Sequence, residues 1–139
     1  AMAQEIDNWA HSDGLSGLIA EILENRPALF SQLKDWNRAR NPWLRRQSIV
    51  GLYYYARLRK RRLPAAKTLP LVKNLLKDPH FYVQRGVGWT LREIDRVDSA
   101  KQRKFVRKHL KDISATAWFA TSELYPLQLR KKLVALRRR

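Results

Sequence analysis

Trp43-Leu-Arg-Arg46-Gln-Ser-Ile-Val50 and Tyr82-Val-Gln-Arg85-Gly-Val-Gly-Trp89 superpose at a shift of 39 residues. The shift pairs Trp43 with Tyr82, Arg46 with Arg85 and Val50 with Trp89, and each copy closely follows an Asx-Pro pair, Asn41-Pro42 or Asp78-Pro79. Helix pairs recurring at about forty residues have the period of HEAT-type solenoids. Such repeats stack into a curved superhelix whose concave side is a natural binding surface. The expected fold is all-α, a HEAT-like helical repeat (α-α superhelix, or α-solenoid), in one domain spanning residues 1–139.

Working outward, apolar residues keep helical spacing and no period-2 strand is convincing. Ser12-Asp13 can cap a helix to about Asn25, with Leu15, Leu18, Ile19, Ile22 and Leu23 on one face. Pro27 suits the first turn of a helix ending near Asn37. Asn41-Pro42 starts a helix to about Leu58, and the basic stretch Arg59 to Ala66 reads as a loop. Helices are expected from about Thr68 to Lys77, from Asp78-Pro79 to Val97, and from Asp98-Ser99 to about Ile113. Ser114 starts another, and Pro126 separates it from the last.

Charge narrows the partner. Lys and Arg number 29 against 12 Asp and Glu, a formal net charge of +17. Residues 1–35 hold six acids and two bases, so the remaining 104 residues carry 27 bases and six acids, a local charge of +21. An excess of this size points to nucleic acid, an anionic membrane surface or an acidic partner. Arg57 with Arg59 to Arg62 forms one cluster, and Arg130, Lys131, Lys132 and Arg137 to Arg139 load the end of the chain. Lys101, Lys104, Lys108 and Lys111 make one stripe at i, i+3, i+7 and i+10. Any single charge run reads as a solvated face; together they favour phosphate binding.

Several chemistries are excluded or unsupported. There are no cysteines, which removes disulfides, thiolate zinc sites and cysteine nucleophiles. His11, His80 and His109 share no ligand spacing, so no metal is expected. No Gly-rich phosphate loop or hydrolase triad stands out. No apolar run approaches the ~20 residues of a membrane span, and no secretory signal opens the chain. The expectation is a cytoplasmic protein without cofactor.

Two aromatic constellations remain. Trp9 and Asp13 are neighbours at i and i+4 if a helix passes through them. An indole face attracts cations, and a carboxylate opposes positive charge where it develops. The plainer alternative makes Trp9 core and Asp13 an N-cap. Trp89 follows Gly86 and Gly88, two residues that each cost a helix ~1 kcal/mol relative to Ala. Something therefore approaches that backbone closely, either a neighbouring helix or a ligand, and core packing is the plainer role for Trp89.

Trp9-x-x-x-Asp13, Trp43 to Val50 and Phe81-Tyr-Val-Gln-Arg-Gly-Val-Gly-Trp-Thr-Leu-Arg-Glu93 together resemble the AlkD-like DNA alkylation repair family, in order and spacing across roughly residues 5–95. The resemblance implies a HEAT-like, monofunctional DNA glycosylase that removes N3- and N7-alkylated purines without base flipping. It also implies that Trp9, Asp13 and Trp89 border the deoxyribose of the lesion as catalytic residues. Arg46, with Arg45 beside it, would hold the backbone near the damaged nucleotide. Arg85 joins them through the internal alignment, and Lys101, Lys104 and Lys108 through the charge stripe. Family members usually carry further helical repeats before the Trp-Asp motif, so a shortened or C-terminal portion of the family fold is expected. The partner would be double-stranded DNA with alkylated bases, bound by a monomer. The alternatives are a non-catalytic DNA-binding repeat protein and a protein-binding HEAT scaffold.

Overall fold

A computed structural model describes Asn8, Leu18, Ile19, Ile22, Arg26, Ala28, residues 30–53 and residues 63–139. Those residues form seven helices of four or more residues and no strand: α1 (Phe30–Trp36), α2 (Pro42–Tyr53), α3 (Ala65–Asn74), α4 (Phe81–Val97), α5 (Ser99–Lys108), α6 (Ala115–Thr121) and α7 (Leu127–Arg138). This is the all-α helical repeat that the internal period implies. Most of the expected first helix, the first half of the loop Arg59 to Ala66 and the Arg57 to Arg62 cluster lie outside the described residues.

The longest helix, α4, packs chiefly against α2 on one side and α6 on the other, while α5 and α3 cover it from behind. The repeats stack in register. Trp43 and Tyr82, equivalent under the 39-residue shift, lie with ring centroids 5.2 Å apart. The two glycines permit this spacing. A Cβ at Gly86 would stand 3.0 Å from the Arg46 side chain and 3.1 Å from Val50 on α2. One at Gly88 would fall onto the Ala117 carbonyl of α6, with Ala117 Cα at 3.0 Å. Neighbouring helices, on opposite sides, are therefore what approaches this backbone.

Val83, Val87, Leu91 and Ile94 of α4 are fully buried with Ile49 and Val50 of α2, Val72 of α3, Val106 of α5 and Ala117 of α6. Buried amides bridge the successive layers. Asn37 donates to Ser48 at 2.9 Å and to the Leu71 carbonyl at 3.1 Å, and accepts from Asn74 at 2.9 Å. Gln84 donates to the Asp78 carbonyl at 2.8 Å and accepts from Ser114 at 2.8 Å. Gln102 donates to the Leu91 carbonyl at 3.0 Å and accepts from Tyr125 at 2.7 Å. Each bond contributes about 1 kcal/mol net, and more is lost when one partner is removed.

Several boundaries move. Pro64 sits in an extended conformation and opens α3 at Ala65, three residues before the expected start. Pro70 lies inside that helix. α5 stops at Lys108, not near Ile113, because His109 leaves the helical conformation and a turn follows. Ser114 does cap α6, accepting from the Ala117 N–H, and Pro126 immediately precedes α7. The expected apolar face of the first helix is divided: Ile19 is buried, whereas Leu18 and Ile22 are exposed. Part of the C-terminal basic cluster is structural. Arg130 donates to the Ser122 carbonyl at 2.8 Å and Arg137 to the Ile113 carbonyl at 2.7 Å, satisfying acceptors where helix or turn ends.

Candidate nucleic-acid interface

One stripe of α4 carries Phe81, Arg85, Trp89 and Arg92, at i, i+4, i+8 and i+11, so all four side chains project from the same side of the helix. Arg46 of α2 forms one wall beside them. Ala115, Thr116, Phe119 and Ala120 of α6, with Glu123 just beyond it, form the other. The result is an open groove of about 570 Å³ between the first, middle and last members of the α2–α4–α6 row.

The groove's cations are held in different ways. The Arg46 stem lies against Gly86, so Arg46 is only 8% exposed although it reaches the groove. Arg85 is exposed, its guanidinium 6.0 Å from the centroid of the Phe81 ring. Arg92 lies 6.0 Å from the centroid of the Trp89 ring. It donates to Glu123 at 2.7 Å and to the buried Glu93 at 3.3 Å. Trp89 itself is half-buried, one side against the core and the other lining the groove. Packed, planar guanidiniums over aromatic faces suit the geometry of phosphate oxygens better than mobile ammoniums do.

Of the residues singled out in the sequence, the groove brings together Arg46, Arg85 and Trp89. Trp9 and Asp13 lie outside the described residues. Arg45 points elsewhere. Its guanidinium is paired with Asp78, at 2.6 and 3.2 Å, and donates to the carbonyls of Ala39 and Arg40. Arg45 thus ties the start of α2 to the turn before α4, and contact with a phosphate would require breaking those bonds. Lys101, Lys104 and Lys108 are exposed, but they line a separate cleft between α3 and α5. Ala66, Leu69, Pro70, Lys73, Phe105 and His109 complete it, and it shares no residue with the groove. In that cleft burial and the nearby ammoniums of Lys73 and Lys108 hold His109 below its ordinary value of 6.5, against the opposing pull of Asp112.

Four charged or aromatic groove residues receive no role from the sequence: Phe81, Arg92, Phe119 and Glu123. Arg92 was accessible from its spacing, seven residues after Arg85 on one helix. Phe119 was not, because nothing in Ala117-Trp118-Phe119 says which aromatic faces the core. The structure buries much of Trp118 and leaves Phe119 79% exposed.

None of the described helices is long and apolar enough to cross a membrane. No curated protein and no solved structure matches the chain. A family model described as DNA alkylation repair enzyme matches residues 1–123, most of the chain. A DNA repair role follows from that match, with DNA as the substrate the family acts on. The chain belongs to the AlkD-like DNA alkylation repair enzyme family.

Proposed function

We propose that the chain is a monofunctional DNA glycosylase that hydrolyses the N-glycosidic bond of N3- and N7-alkylated purines in duplex DNA. The observation that supports this most is the meeting of Trp89 with Arg46 and Arg85 in one groove. A stacking surface beside two phosphate-binding cations is what a distorted nucleotide requires.

An alkylated purine of this kind already carries positive charge, so it departs with the glycosidic electron pair and no general acid is needed. The sugar then acquires oxocarbenium character. The indole of Trp89, and that of Trp9, would face this cation. Asp13 would oppose its charge and accept a proton from the water that attacks the anomeric carbon. The products are the free alkylated base and an abasic site. No base-binding pocket is invoked, and the duplex need not give up its damaged base to an interior cavity as in base-flipping enzymes. Arg46 and Arg85 would hold the flanking phosphates. Lys101, Lys104 and Lys108, in their separate cleft, would add to the field that attracts DNA without contacting it near the lesion.

Release of N7-methylguanine from a defined duplex tests this reading. The parent protein should excise the base, and Asp13→Asn should abolish excision while largely preserving binding to damaged duplex. Excision by Asp13→Asn at the parent rate would remove Asp13 from the mechanism. Tight, salt-sensitive binding by a parent that releases no base would make the chain a non-catalytic DNA-binding member of its family.

A further inference from the structure

The cleft between α3 and α5, of about 420 Å³, lies apart from the groove and shares no residue with it. Its α3 wall is Ala66, Leu69, Pro70 and Lys73, at i, i+3, i+4 and i+7, one side of a helix. Lys101, Lys104, Phe105 and Lys108 of α5 form the facing wall. Leu69 and Phe105 are packed partly into the core and make an apolar floor, while the four lysines are exposed around it. No described carboxylate lines the cleft.

Three features restrict what can fill it. The lysines attract anions. The floor favours an apolar group, because covering it removes apolar surface from water. Pro70 has no N–H, so the Ala66 carbonyl on the same wall is without its helical donor and suits a partner that donates. The outer surface of a duplex offers phosphate acceptors but no protruding apolar group, its base faces being stacked inside. A second copy of this chain, at +17, would bring like charge. A polypeptide that carries carboxylates, an apolar side chain and backbone N–H groups matches all three. Lys101 to Lys108 spans seven helical steps, about 10 Å, the length of roughly three extended residues. A short segment can therefore engage the whole rim, whereas a single small anion cannot.

We infer that the α3–α5 cleft is a docking site for an acidic peptide segment of another protein, which seats one apolar side chain on Leu69 and Phe105 and its carboxylates among Lys73, Lys101, Lys104 and Lys108. The rim lysines draw the segment in and adapt to its carboxylates, and the floor distinguishes it from a plain polyanion. Because groove and cleft have no residue in common, the partner and a duplex in the groove can be held at the same time. The cleft keeps this role whether or not the groove excises bases.

The test measures binding of the full chain to two fluorescent peptides of Asp and Glu, identical except that one has a central Phe and the other a central Ala. The parent should bind the Phe peptide about tenfold more tightly, the scale of burying one large apolar side chain. Lys73→Gln with Lys104→Gln, one change on each wall, should weaken the Phe peptide about fivefold, as expected for two exposed ion pairs. Its thermal midpoint should match the parent's, because both side chains are exposed. Lys131→Gln with Lys132→Gln removes the same charge from exposed positions on α7 outside the cleft, and should change binding less than about twofold. Saturating the chain with duplex DNA should leave the peptide bound. Equal affinity for the two peptides reduces the effect to general attraction between a cation and polyanions, and overturns the docking site. Equal losses in the two double variants, or no binding of the Phe peptide, overturn it as well. Displacement of the peptide by duplex, reduced in the Lys73→Gln, Lys104→Gln variant, would make the cleft a DNA surface instead and leave the DNA-binding reading intact.

Discussion

The groove beside α4 and the cleft between α3 and α5 are both cationic, yet they are built differently. In the groove, Arg92 is braced by Glu123 and Glu93, Arg85 lies over Phe81, and the Arg46 stem is packed on Gly86. In the cleft, Lys73, Lys101, Lys104 and Lys108 are all exposed around an apolar floor. The described carboxylate paired with Lys101, Asp98, lies 3.8 Å away. A charge fixed by packing can impose geometry on a phosphate. A charge on a solvated stem contributes mainly field, and that field fades within about 10 Å at ordinary salt. The difference teaches that the number of positive charges on a face does not by itself decide how that face can hold a phosphate.

The largest effect is expected from destroying the groove alone. Gly88→Val places branched carbon against the Ala117 backbone, where even one methyl group has no room. Overpacking of this kind typically costs about 1–3 kcal/mol, and here the obstacle is backbone. The thermal midpoint should fall by several degrees and DNA binding should fail, even though every lysine of the cleft is retained. Unchanged stability would show that α6 can move away from α4 at little cost.

A middle-sized effect separates the two charge sets. The triple change of Lys101, Lys104 and Lys108 to Gln should slow association a few-fold at low salt and change the salt slope by less than about 1. A slope reduced by about 2.7, one full counterion term for each lysine, would show that the cleft also contacts DNA and would erase the distinction between the faces. The smallest effect has the opposite sign. Glu123→Gln removes a carboxylate that competes with phosphate for Arg92, and should tighten duplex binding about two- to fivefold, given the modest strength of a partly exposed pair. Weaker binding would instead make Glu123 the residue that aims Arg92.

The repeat, its period and its Asx-Pro punctuation were enough to read the helix pairs, since stacking in register is what brings Trp43 and Tyr82 together. The glycines announced a close approach but not its author, because packing partners depend on the whole chain. Arg45 and Arg46 show the same limit at one residue's distance. Successive side chains on a helix point about 100° apart, so one faces the groove and the other turns to Asp78. The lysine stripe was legible as a stripe, yet only the layering decides which face of the solenoid it lies on. For Trp9 and Asp13 the motif remains the whole of the argument.

The amides of Asn37, Gln84 and Gln102 have a mechanical consequence. Each sits at a joint between successive layers and bonds to more than one of them, so rotation at that joint would break buried bonds with no water to replace them. A helical stack braced at these three joints behaves there as a rigid gauge of preset curvature. On the proposed function, a duplex meeting it would supply the bending, and sequences that soften the double helix would be admitted at lower elastic cost.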